Sequence, residues 1–231
     1  MREGWYGEDK VMIVYVESNF VMELTYLQES HLACETILTL AEAGSISMVL
    51  PAFCLTESRM AWVAKGKHRD HVNAMVTKEI RELARSQPYA DIEEKSRALM
   101  AALVESNEED RRRLDETLDR LGRCAHLEPL RPETVELARA CETLFSLSPQ
   151  DSTVLATILQ HAGASGAEPK LFLNKNSKDF ANPDIADELA RYQCTFYSDF
   201  LKALHVIPGA ATGLRTVLYE DLISYQKRRA R

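Results

Sequence analysis

The chain is short of the residues that staple a secreted fold or cross a membrane. Its 231 residues hold five cysteines, nine glycines and eight prolines, and aromatic residues make up 7%. Cys34, Cys54, Cys124, Cys141 and Cys194 are odd in number, widely scattered and never spaced as C-x-x-C. That pattern excludes a disulfide framework and a zinc knuckle, and four of the five, with apolar or small neighbours, read as core thiols. No apolar run approaches the ~20 residues that span a bilayer; Val11 to Val16 is strand-sized. Arg2, Glu3, Glu8, Asp9 and Lys10 stand where a signal peptide needs its apolar stretch. The expectation is a cytoplasmic protein with no membrane association. Equally absent are a P-loop, a G-x-G-x-x-G turn, a Ser-His-Asp order and a Cys-His pair.

What is present is a normal globular composition, 45% hydrophobic and 27% charged, with a formal net charge of −7. The acidic balance argues against a broad nucleic-acid footprint, because phosphate contacts need clustered Lys and Arg. It leaves room for an enzyme that holds cations against a phosphodiester. Charge is unevenly spread. Lys65 to Arg123 carries 13 basic and 13 acidic residues, so the whole net charge lies outside it. This neutral, charge-dense stretch breaks only near Gln87-Pro88 and predicts two or three exposed helices with mixed-sign faces.

Elsewhere, apolar runs alternate with helical patterns. Val11 to Val16 reads as a parallel strand buried on both faces. Leu24, Leu27, Cys34, Ile37, Leu38 and Ala41 recur at helical spacing up to Gly44. Ile46 to Leu50 is a second strand and Ala125 to Leu130 a weaker third. Arg131–Phe145 and Pro149–His161 follow as helices, the latter opened by a proline suited to a first turn. Lys170–Leu173 and Cys194–Tyr197 are the last strands, with a short helix after Pro183 between them. Such alternation predicts an α/β fold, a three-layer α/β/α domain around a mainly parallel sheet with right-handed crossovers.

Ligands in such sheets gather at the carboxyl ends of strands. There stand Glu17-Ser18-Asn19 after the first strand, Glu57 two turns into the helix after the second, Ser148-Pro149-Gln150-Asp151-Ser152 before the fourth, and Asn174 to Phe180 after it. Converging carboxylates repel and lose hydration, so three or four of them imply a cation. Hard Mg²⁺ or Mn²⁺ suits carboxylate oxygens and acidifies a bound water. Taken singly, Asp151 also suits a helix N-terminus, Asp179 a turn, and Asn19 the cap of a helix starting near Phe20.

Val14 to Leu24 resembles the opening strand and turn of a PIN domain, as do Leu50 to Phe53 with Glu57, and Ser148 to Ala156. Leu171 to Phe180 is similar to the family's fourth motif, an acid-rich turn ending in Asp-Phe. The resemblance covers roughly residues 11–60 and 124–200; the chain reads as one PIN-like domain over 1–231, with a helical insertion at about 59–123 that the resemblance does not cover and a basic tail at about 215–231. The resemblance implies divalent-metal-dependent cleavage of RNA, as in toxin components of toxin–antitoxin pairs, with an antitoxin-like protein as partner; the insertion either overhangs the carboxyl edge and narrows substrate access or forms an interface with a second copy (a homodimer). Glu17, Glu57, Asp151 and Asp179 would be the catalytic and metal-ligating acids; Asn19, Asn176 and Ser152 would position water or substrate. Two departures stand out. Glu17 replaces the usual Asp, and Asn176 occupies the natural place of the fourth acid. A non-cutting PIN-like module that binds RNA or a protein is the alternative.

Other features read as ordinary surface. His68 and His71 sit among charges on an exposed helix face. Arg111-Arg112-Arg113 follows Glu108-Glu109-Asp110, so local pairing competes with phosphate contact. Met60 and Trp62 with Val63 fit core or interface better than base stacking.

Overall fold

The computed structural model describes residues 11–218. The basic cluster Lys227 to Arg231, expected as a tail, lies outside the described residues. Five strands form: β1 (Ile13–Tyr15), β2 (Ser47–Pro51), β3 (His126–Glu128), β4 (Lys170–Leu173) and β5 (Cys194–Tyr197). They pair in parallel throughout, in the order β3-β2-β1-β4-β5. Val14 and Tyr15 of the central strand are fully buried, which is why this strand reads as an unbroken apolar run rather than an alternating one.

The crossover connections divide the helices between two faces. One face carries α1 (Ser18–Tyr26), α2 (His31–Glu42), α3 (Phe53–Ala84) and α4 (Ile92–Cys124). The other carries α5 (Pro132–Phe145) and α6 (Pro149–Ala164). Short α7 (Ser177–Phe180) and α8 (Pro183–Ala190) link β4 to β5, and α9 (Phe200–Ala203) follows. The three-layer α/β/α expectation holds.

One expectation is corrected. The helical spacing from Leu24 to Ala41 predicts a single helix, but two form. Leu27 adopts φ 48° and ψ 49°, and its N–H bonds the Glu23 carbonyl, closing α1. Ser30 N–H then donates to Glu23 Oε2 at 2.8 Å. Glu23 is buried and also bonded by Lys175, so satisfying its carboxylate overrides the local preference to continue the helix.

The charge-dense middle is a helical hairpin, α3 and α4, turned at a 3₁₀ segment over Gln87–Tyr89. Its base is docked. Asp110, Leu114, Thr117 and Leu121 recur every three or four residues on the buried face of α4. Arg113 Nε donates to the Thr25 carbonyl at 2.8 Å, and Arg120 bridges Glu35 and Glu42. The Lys65 ammonium lies 3.4 Å from the centre of the Tyr26 ring. Beyond Ser58, α3 has no buried residue, so most of the hairpin is a solvated arm. His68 and His71 are exposed on it, Trp62 packs against the core, and Arg111, Arg112 and Arg113 pair with neighbouring acids.

Candidate functional site

Strand order reverses between β1 and β4, and in an open parallel sheet that reversal opens a crevice at the carboxyl edge. Glu17 leaves β1 into this crevice and caps α1. Its Oε1 accepts the Asn19 N–H at 2.9 Å and its Oε2 the Ser18 hydroxyl at 2.8 Å. The side chain that caps the helix is therefore Glu17, not Asn19. Asn19 instead donates through Nδ2 to Asn174 Oδ1 at 3.1 Å, spanning the crevice.

Glu57 projects from the second turn of α3, and Gln150 Nε2 donates to its Oε1 at 3.2 Å. Its other oxygen, Oε2, is buried without a hydrogen-bond partner among the described residues. Asp151 lies in the first turn of α6, where the Ser148 hydroxyl caps the Asp151 N–H at 3.1 Å and donates to Oδ2 at 2.6 Å. Burial pushes the Glu17 carboxyl up to about 7 against hydrogen bonds from Asn19 and Ser18, and the Glu57 charge adds to the rise. Burial likewise raises Glu57, with the Asp151 charge acting in the same direction and Ser18 and Cys54 opposing it. Glu17, Glu57 and Asp151 are thus electrostatic neighbours brought from three elements.

Asp179 joins them only indirectly. It is exposed on α7, bonded by Asn176 Nδ2. The Asn176 N–H donates to Asn174 Oδ1 at 2.7 Å, so a relay of amides runs from Asp179 through Asn174 to Asn19. Phe180 anchors this turn edge-on against Phe172, ring centres 5.1 Å apart. Ser152 is fully buried and donates its hydroxyl to the Ser148 carbonyl, so that hydroxyl faces the helix rather than the crevice. Two participants went unread in the sequence. Asn174 is a buried amide at a strand end, and Gln150 is a polar residue in a first helical turn. Only the strand-end position of Asn174 offered a signal.

The chain has four buried carboxylates among the described residues: Glu17, Glu23, Asp110 and Glu128. Lys175 meets Glu23, Arg69 and Arg113 meet Asp110, and Arg131 meets Glu128. Glu17 has no basic partner among the described residues, and the charge that acts on it is that of another acid, Glu57.

A second polar group lies on β3 and α6. His126, Glu128 and His161 each offer a ligand atom, all within 4.8 Å of one another. Glu17, Glu57, Asp151 and Asp179 form no set of three that close.

The protein is an α/β/α domain with an all-parallel sheet and acids at its switch point. A family model described as a PIN domain matches residues 14–180, and the chain belongs to the PIN domain family. At family level that makes it nuclease-like, with divalent metal and RNA as the usual cofactor and substrate. No match was found among curated proteins or among solved structures. Among the described residues no helix is long and apolar enough to cross a membrane.

Proposed function

We propose that this protein is a divalent-metal-dependent ribonuclease of PIN type, with Glu17, Glu57 and Asp151 as the main ligands of Mg²⁺ or Mn²⁺ and Asp179 as the fourth acid. The supporting observation is a buried carboxylate with no counter-charge. Glu17 is buried with no basic partner among the described residues, beside a Glu57 oxygen that is buried and unbonded. A carboxylate removed from water without a counter-charge costs several kcal/mol, and every other buried acid among the described residues has one. The donors are all carboxylate oxygens, which fit a hard cation.

Bound there, such an ion supplies a lowered pKa for an attacking water and neutralises charge on the phosphodiester. The chain's own residues set the geometry. Ser18 and the Asn19 N–H fix Glu17, and Gln150 fixes one oxygen of Glu57. Asn174 holds Asn19 and Asn176 in register, leaving Asn176 to orient water or a substrate oxygen. The longer side chain at position 17 folds back onto its own helix terminus, which absorbs the extra methylene.

The test is cleavage of single-stranded RNA by the full chain with Mg²⁺, Mn²⁺ or a chelator. Expected is metal-dependent cleavage that falls at least about 100-fold in Asp151→Asn and Glu57→Gln. Cleavage that persists in chelator, or in both variants, contradicts the proposal. Metal-linked stabilisation with no cleavage favours the non-cutting module.

A further inference from the structure

The polar group on β3 and α6 is a separate matter from the acidic edge. His126 and Glu128 alternate on a three-residue edge strand, so they share one face. His161 comes from the far end of α6, ten residues along from Asp151, about 15 Å at helical rise. His126 Nε2 lies 2.8 Å from Glu128 Oε2, and the two imidazole centres are 5.3 Å apart with planes tilted 40°.

Two of the remaining polar atoms of the trio are held from behind. Glu128 Oε1 is bonded by Arg131. His161 Nδ1 lies 2.9 Å from the Tyr15 hydroxyl and 3.2 Å from Ser165 Oγ. Its Nε2 makes no hydrogen bond among the described residues. Ligating histidines typically pass their second ring nitrogen to a neighbouring oxygen, and ligating carboxylates are themselves bonded. Here His161 and Glu128 have those supports, while His126 Nδ1 makes no hydrogen bond among the described residues. The geometry points to a binding site for one zinc-class transition-metal ion, held by His126 Nε2, Glu128 Oε2 and His161 Nε2, that clamps the edge strand β3 to α6.

Two neutral imidazoles and one carboxylate are the donor set that such an ion prefers over Mg²⁺. Donors about 2.0–2.1 Å from a tetrahedral ion stand roughly 3.4 Å apart, so the His126–Glu128 pair opens by about half an ångström. Binding displaces the proton shared by His126 Nε2 and Glu128 Oε2. It also fixes the His161 proton on Nδ1, where the Tyr15 or Ser165 oxygen accepts it. Arg131 is the opposing charge; it stays on the outer oxygen and orients the ligand.

The experiment uses the full chain, stripped with chelator and titrated with Zn²⁺. The acidic edge is disabled by Glu57→Gln with Asp151→Asn, so failure there and failure here are separate results. One zinc per chain is expected with that double variant. His161→Gln and His126→Gln in the same background should each weaken binding at least about 100-fold, and Tyr15→Phe about tenfold. Should a histidine variant not fold, Co²⁺ added to the unsubstituted chain decides. Paramagnetic broadening of the His126 and His161 ring signals, with His68 and His71 left sharp, supports the site. No zinc bound at micromolar concentration, zinc retained in both histidine variants, or broadening at His68 and His71 instead overturns it.

Discussion

Asp110, at the base of the hairpin, and Glu17, at the carboxyl edge, are about equally buried, yet they live in opposite electrostatic worlds. Asp110 sits between two guanidiniums, Arg69 and Arg113, with Arg113 also bonding the α1 carbonyl of Thr25. Glu17 has hydrogen bonds from its own helix terminus and acids for neighbours. The first arrangement is complete as folded. The second is stable against desolvation only when protonated or when a cation arrives. That contrast is what supports the proposed cation site at the second acid.

The comparison breaks most sharply at Asp110. Asp110→Ala strands two partly buried guanidiniums and should cost about 3–5 kcal/mol in urea unfolding. A cost below about 1 kcal/mol means the latch is ornamental and the contrast fails. The pH dependence of the metal-free protein is the next largest effect. Burial raises Glu17 from its ordinary value to about 7. A raised folded pKa contributes stability that is full below the unfolded value, about 4.5, and is lost as pH rises through 7. The loss should be about 3 kcal/mol at most between those limits, and millimolar Mn²⁺ should flatten it. A metal-free stability that rises over this window contradicts the assignment.

Smaller still is Glu57→Gln. Removing one unpaired charge should raise the metal-free melting temperature at pH 8 by about 2–4 °C, since about 1 kcal/mol shifts a chain of this size by that much. A drop of similar size would mean that the carboxylate serves the fold. At the lower end, the solvated arm holds exposed ion pairs such as Arg85–Glu82. Arg85→Ala should change stability by less than about 0.5 kcal/mol.

Most of the sheet is legible in the sequence because parallel strands buried on both faces are unbroken apolar runs, as Val14 and Leu171 and their neighbours are. The third strand reads weakly for a physical reason. It lies at the sheet edge and carries His126 and Glu128 instead of aliphatic residues. The hairpin is legible from charge texture, including its break near Gln87. The division of the first helical run at Leu27 is not, because it is driven by Lys175, 152 residues from the Glu23 that it binds. The acidic edge could be located from topology, since strand ends converge whatever lies between them. Its supports could not. Asn174 works across 155 residues to reach Asn19, and His161 meets His126 only through packing of α6 on the edge strand.

The most direct test of the carboxyl edge as a cation site is the melting temperature of the full chain with and without Mn²⁺, compared with Asp151→Asn and Glu57→Gln. A ligand that binds only the folded state raises stability by mass action, by about 2.7 kcal/mol at one hundred times its dissociation constant. The unsubstituted protein should therefore gain several degrees with millimolar Mn²⁺, while both variants gain little, and Glu57→Gln should start slightly higher without metal. If both variants melt lower than the unsubstituted chain without metal and respond to Mn²⁺ as it does, these acids hold the fold and not a cation.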